Sequence, residues 1–321
     1  MKTELEFGAW EQTKLRFRGR ELEQTRDKRA IRISMEPYVD SLMPMTIPAD
    51  LRKDLDAIVS PQVHSQYRGG VGQLQWLQMQ GNPMLAYDTS ILQSHSAAPS
   101  GHHVLMLSKT IRTAKKYRDL YYNVVAMQGR FTWVILGDAA WANRPDGSST
   151  GGHLIVAVHN AVIRGQRVNA SVVSWNSRKT RRKVRSSLGA ETQAFSTALE
   201  HGDLIRVFWG ELNGEIVDLE NFGEYLRQTS ALAISECKSL ADALNSSGSA
   251  VSKTSDDKRL AIELSMIKQR LKRDETMFQW VENMYMAADV LTKGVERGNV
   301  QAMVQILTDS KITVKPTEEI L

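Results

Sequence analysis

Apolar residues recur at every second position in two short runs near the start of the chain, Leu15 with Phe17 and Ile31 with Ile33. The charged stretch GRELEQTRDKR separates them. A period of two predicts a twisted hairpin with one wet face over 5–34. Further on the period lengthens. Val71, Leu74, Leu77, Leu85 and Leu92 follow near-helical spacing between Tyr67 and Gln93, broken at Gly81-Asn82-Pro83, and predict two helices. Val104, Leu107, Ile111 and Ala114 form an i, i+3, i+7, i+10 stripe that predicts a third.

After Arg130 the pattern changes. FTWVILGDAAW, HLIVAVHNAVI and RVNASVVSWN are three runs of β-favouring residues, with the turn-forming GSSTGG between the first two. Short connections between them predict an antiparallel meander. A helical segment then runs from about Ser187 to His201, with Leu188, Glu191, Phe195 and Leu199 on one face. The buried strand ALAISE and the helical CKSLADALN follow. A serine-rich loop at 246–249 leads to an amphipathic helix carrying Leu260, Leu264, Ile267 and Leu271, then a strand MFQWVEN and a helix from about Met286. The order after Arg130 is βββ, α, β, α, α, β, α, an α/β arrangement.

At 321 residues and 42% hydrophobic content, the chain has room for two ordinary domains, and two are expected. Forty-one basic residues against 36 acidic give a net charge of +5, which leans toward a polyanionic partner without requiring one. The single cysteine, Cys237, excludes an internal disulfide and, with no Cys/His cluster, argues against structural zinc. MKTELEFGAWEQ lacks the apolar core of a signal sequence, and no segment approaches the ~18 uninterrupted apolar residues needed to span a bilayer. An intracellular protein, cytoplasmic or nuclear, with no membrane partner is expected.

Four carboxylates fall where they can converge: Asp138 at the end of the first strand, Glu191 early in the first helix, Glu236 ending the fourth strand, and Asp289 in the last helix. Two Mg²⁺ ions ~4 Å apart, the requirement for in-line displacement at phosphorus, are held by such a set of anionic oxygens. Position alone is not specific in a chain with 36 acidic residues, where each is also a candidate cap or surface carboxylate.

Three motifs sharpen the reading. GDAAWANRPDGSSTGG resembles the opening of the copia-type LTR retrotransposon ribonuclease H, an acidic strand end, Ala-x-Trp-Ala and a Ser-Thr-Ser-Gly loop. VVSWNSRKTRRKVRSSLGAETQAF is similar to its third strand, basic turn and first helix. QWVENMYMAADVLTKGV resembles its closing Ala-Asp-x-x-Thr-Lys motif. The resemblance covers about half the chain. It implies a ribonuclease H-like mixed five-stranded sheet with flanking helices over 130–294, and two Mg²⁺ ions, or Mn²⁺, held by Asp138, Glu191, Glu236 and Asp289. The implied activity is endonucleolytic cleavage of the RNA strand of an RNA/DNA hybrid.

The family's fourth strand ends in aspartate, where this chain has Glu236. The extra methylene matters because Mg²⁺ tolerates little deviation from octahedral geometry at ~2.1 Å. If it displaces a ligand, restoring aspartate is expected to raise cleavage. The alternative is a catalytically decayed relic or a nucleic-acid-binding module.

YRGGVGQLQWLQMQGNPMLAYDTSILQS looks like the copia-type segment between polymerase and ribonuclease H. It implies that 1–129 is a mainly helical thumb or connection remnant of reverse transcriptase, with the polymerase core upstream as part of the same pol polyprotein, and 295–321 a C-terminal tail. Tyr38-Val39-Asp40-Ser41 imitates the polymerase tetrad but lacks its second aspartate, and Pro37 favours a helix start, so no polymerase activity is expected. Arg178, Lys179, Arg181, Arg182, Lys183 and Arg185 place six cations in eight residues ahead of the Glu191 helix, a phosphate-tracking patch or a solvated turn. Trp133, Trp141, Trp175 and Trp280 are base-stacking candidates, though their strand patterns favour core positions.

Overall fold

A computed structural model of the protein describes residues 12–49, 51–246 and 257–315. The expected hairpin over 5–34 is realised, within that range, as three antiparallel strands, β1 (Lys14–Phe17), β2 (Arg20–Gln24) and β3 (Ala30–Ser34). Arg18 and Gly19 both have positive φ in the two-residue turn between β1 and β2, the geometry that matches strand twist in tight hairpins. β4 (Tyr121–Val125) pairs with β3, so the first part of the chain is a four-stranded sheet plus helices. Helix still outweighs strand in this part, whose strands are only four or five residues long with charged outward faces.

Pro37 lies in the first turn of α1 (Glu36–Ser41), as its fixed φ favours. α2 (Pro61–Gln80) and α3 (Ala86–Ser94) flank the expected break, where the Asn82 side chain accepts from the Met84 amide at 3.1 Å. With α4 (Gly101–Lys116) they enclose a core of Tyr67, Leu74, Leu77, Leu92, Leu107 and Ile111.

Among the described residues the second sheet is mixed and has six strands in the order β10-β7-β6-β5-β8-β9. β5 (Phe131–Ala140), β6 (Thr150–His159) and β7 (Val168–Lys179) form the expected antiparallel meander. β8 (Ala231–Ser235) and β9 (Met277–Trp280) add in parallel beyond β5. The sixth strand, β10 (Lys311–Ile312), pairs with the start of β7. Two residues leave no readable period, which is why five strands were expected.

Successive β5 side chains point to opposite faces. Trp133 and Ile135 join Phe195 and Leu199 of α5 (Ser187–Leu212), Leu240 of α7 (Lys238–Asn245) and Leu264 of α8 (Lys258–Arg273). Between α5 and β8 lies a short α6 (Phe222–Gln228). Val134 and Leu136 face the other way, toward Met286, Val290, Leu291, Met303 and Ile306, and this core also takes in Ile33, Met84 and Tyr122 from the first part of the chain. α5 continues past His201 to Leu212, further than the sequence pattern showed, because the exposed Leu204, Phe208 and Leu212 blur the apolar stripe. The helix expected from Met286 is one 3₁₀ turn (Ala287–Asp289) followed by the four-residue α9 (Val290–Lys293). Among the described residues after Gly294, α10 (Val300–Leu307) buries Met303, Ile306 and Leu307, and β10 joins the sheet; 316–321 of the expected tail lie outside the described residues. Residues 5–11 of the expected hairpin and 247–249 of the serine-rich loop lie outside the described residues.

Candidate active site

Asp138 lies near the end of β5 on the face that meets α9, fully buried and paired in register with Gly152 of β6. That glycine lets the two elements close. A Cβ there would stand 2.8 Å from Leu291 Cβ and 3.0 Å from Thr292 Cγ2, so the last glycine of GSSTGG is where the sheet admits the segment carrying Asp289. Glu191 sits early in α5, whose start is capped by Ser186 accepting from the Gly189 amide at 3.1 Å. Glu236 directly follows β8, and Asp289 ends the 3₁₀ turn before α9.

These elements bring the acids together. Asp138, Glu236 and Asp289 offer oxygens that all lie within 4.8 Å of one another. Glu191 is outside that group of three but close enough for the Asp138 and Glu236 charges to act on it. The extra methylene of Glu236 does not turn its carboxylate away. Oε2 accepts from Asn283 Nδ2 at 2.7 Å, and Oε1 lies 3.4 Å from Lys293 Nζ.

Two residues to which sequence reasoning gave no role belong to the cluster. The Thr292 hydroxyl donates to Asp138 Oδ2 and lies 3.1 Å from the Asp289 carbonyl oxygen. The Lys293 ammonium forms an ion pair with Asp289 Oδ1. Both stand three and four residues after Asp289, where a helical turn returns side chains to one face. That spacing within ADVLTK was the available signal. The remaining Asp289 oxygen, Oδ2, accepts from the Asn299 amide at 2.8 Å.

Burial dominates the electrostatics. It pushes the Asp138 carboxyl up to about 7, with the Glu236 charge adding and Lys293 and the Thr292 hydrogen bond opposing. It holds Glu191 well above the usual carboxylate range, with Asp138 as the next cause. Burial alone would lower the Lys293 ammonium, but Asp138, Asp289 and Glu236 together outweigh it and raise it. Asp138 Oδ1 and Glu191 Oε2 are buried with no hydrogen-bond partner. Such orphaned oxygens are costly unless a cation meets them, and a hard, all-oxygen donor set of this kind suits Mg²⁺ or Mn²⁺.

The six cations of the basic run are not equivalent. Lys179 is ion-paired to Asp146, Lys183 donates to the Asp146 carbonyl oxygen, and Arg182 meets Glu263 at 2.8 Å. Arg178, Arg181 and Arg185 have no ion pair among the described residues. Arg178, Arg181 and Arg182 line a cleft of about 300 Å³ against α5. Of the stacking candidates, Trp133 is core and Trp175 and Trp280 are half-buried. Trp141 is 48% exposed between the Asp138 strand and the basic connection, donating to the Val184 carbonyl oxygen at 3.2 Å.

No family model matches the sequence, and no curated protein matches it. Among solved structures, the solution structure of the PFV RNase H domain is 15% identical with a TM-score of 0.29, covering 56% of this chain and 92% of that one. The foamy viral protease-reverse transcriptase in complex with RNA/DNA hybrid is 10% identical with a TM-score of 0.31, covering 61% of this chain and 26% of that one. Overlap at these scores carries no weight on function.

Proposed function

We propose that this chain is a two-metal endonuclease of the copia-type ribonuclease H kind, cutting the RNA strand of RNA/DNA hybrids during retrotransposon reverse transcription. The observation that carries the reading is the meeting of Asp138, Glu236 and Asp289 from three separate elements, with Glu191 of a fourth within reach of their charge and buried oxygens of Asp138 and Glu191 left without donors. Asp138, Glu191, Glu236 and Asp289 are the residues that would hold two Mg²⁺ ions. Bound there, the ions would supply an activated water and charge for the leaving oxygen.

The rest is the work of the chain's own groups. Thr292 fixes the Asp138 carboxylate and Asn299 fixes that of Asp289, so both acids are aimed before substrate arrives. Arg178, Arg181 and Arg185, beside the start of the Glu191 helix, supply sequence-independent attraction to phosphates. Choice of the RNA strand falls to groove shape and 2′-hydroxyl contacts. Residues 1–129 act as a connection-like remnant of reverse transcriptase with no polymerase role, and the remainder of the pol polyprotein is the natural partner.

Asp138→Asn tests the reading. It keeps the shape and the Thr292 contact but removes the charge, and is expected to lower Mg²⁺-dependent cleavage of a labelled hybrid by ~10² or more. Its thermal midpoint should hold or rise, because a buried like charge is gone. A variant that cuts as fast as the parent overturns the assignment.

A further inference from the structure

Each acid of the cluster divides its two oxygens between the protein and the site. Asp138 gives Oδ2 to Thr292, Glu236 gives Oε2 to Asn283, and Asp289 gives Oδ2 to the Asn299 amide. The oxygens left over are Asp138 Oδ1, Glu236 Oε1 and Asp289 Oδ1, together with Glu191 Oε2. Two of these four, Glu236 Oε1 and Asp289 Oδ1, face the same Lys293 ammonium. Lys293 is the last residue of α9, and its side chain is one-third exposed although the ammonium pairs with the buried Asp289.

We propose that Lys293 is the built-in counter-ion of this site, holding Glu236 and Asp289 together until a divalent cation takes their free oxygens and displaces the ammonium outward. The inference rests on the metal-binding reading above. It follows from competition: an ammonium and a metal ion repel one another and contend for the same pair of oxygens. Asp138 Oδ1 and Glu191 Oε2 feel the Lys293 charge but make no ion pair with it. The site therefore has an open half and a half guarded by Lys293. The guard has two consequences of opposite sign. Without metal, it offsets repulsion among the carboxylates and stabilises the fold. With metal, its displacement is a cost that weakens apparent affinity.

The test compares the full chain with Lys293→Met, which keeps the stem and removes the charge, by thermal unfolding in chelator and across an Mg²⁺ titration. The variant is expected to melt lower than the parent in chelator, to regain more on adding Mg²⁺, and to reach its Mg²⁺ midpoint at about tenfold lower concentration. A second measurement needs no variant. Acylation of Lys293 in the parent, followed by peptide mass mapping with Mg²⁺ and with chelator, should speed up several-fold when Mg²⁺ is present. Equal Mg²⁺ responses in the two proteins, or an acylation rate that Mg²⁺ leaves unchanged, overturn the counter-ion role while the metal site stands. If Mg²⁺ moves neither the melting nor the acylation of either protein, the metal site itself is wrong and the proposal falls with it.

Discussion

Glu236→Asp is the substitution on which sequence and structure point in opposite directions. By the copia-type pattern that the sequence resembles, aspartate should raise cleavage if the extra methylene displaces a ligand. The structure places the glutamate carboxylate already inside the cluster, with Oε2 held by Asn283 at 2.7 Å and Oε1 3.4 Å from Lys293. Removing one methylene withdraws the carboxyl by about 1.5 Å, one carbon–carbon bond. The bond to Asn283 then exceeds any hydrogen-bonding distance. The backbone is poorly placed to follow, because the Glu236 carbonyl oxygen is fixed by Trp280 Nε1 at 2.8 Å and the preceding strand is paired to β5 and β9. A misplacement of about 1 Å at a reacting centre costs up to ~10² in rate. Loss of the charged hydrogen bond costs about 1.5 kcal/mol of stability, the low end of the range because the side chain is 16% exposed. Single-turnover cleavage of a labelled RNA/DNA hybrid, with Mg²⁺ and with chelator, reads the first effect, and urea unfolding reads the second. An aspartate variant that cuts as fast as the parent or faster refutes the reasoning.

Arg206 is fully buried and bonded to Thr229, Asp203, Thr276 and the Leu226 and Thr229 carbonyl oxygens, tying α5 to α6 and to the approach to β9; Arg206→Ala should cost about 3–5 kcal/mol in urea unfolding, far more than an exposed arginine. Burial, then His201 and Arg178, depresses His153 to about 3, so the folded state keeps it neutral. The stability this gives is present above the unfolded value of about 6.5 and is lost as pH falls from there toward 3, by up to about 1.4 kcal/mol per pH unit. That component should vanish from the pH dependence of unfolding in His153→Leu, and an identical profile would count against it. Replacing Arg178, Arg181 and Arg185 together by alanine should reduce the salt slope of hybrid binding by about one unit for each phosphate no longer neutralised, whereas Lys179→Ala, already paired to Asp146, should change it little.

Much of the strand and helix order after Arg130 was legible because each run has its own period and its own punctuation. GSSTGG, SSLGAE and ADVLTK also marked where the acids stand along those elements. What failed to read was local in a different way. β2 and β4 are only five residues long, the exposed Leu204, Phe208 and Leu212 hid the length of α5, and β10 is two residues long. Lys293 was written inside a quoted motif, yet its role depends on where its ammonium ends up.

The sequence alone therefore determined which residues face a core, in what order the elements come, and which four acids are candidates, since burial and period are properties of neighbouring positions. Only the tertiary structure decided that Ile33, Met84 and Tyr122 share a core with β5, that Gly152 lets Thr292 approach Asp138, and which carboxylate oxygens are already taken. Those facts are distances between groups as much as 154 residues apart. Packing of whole elements fixes such distances, and no window along the chain contains them.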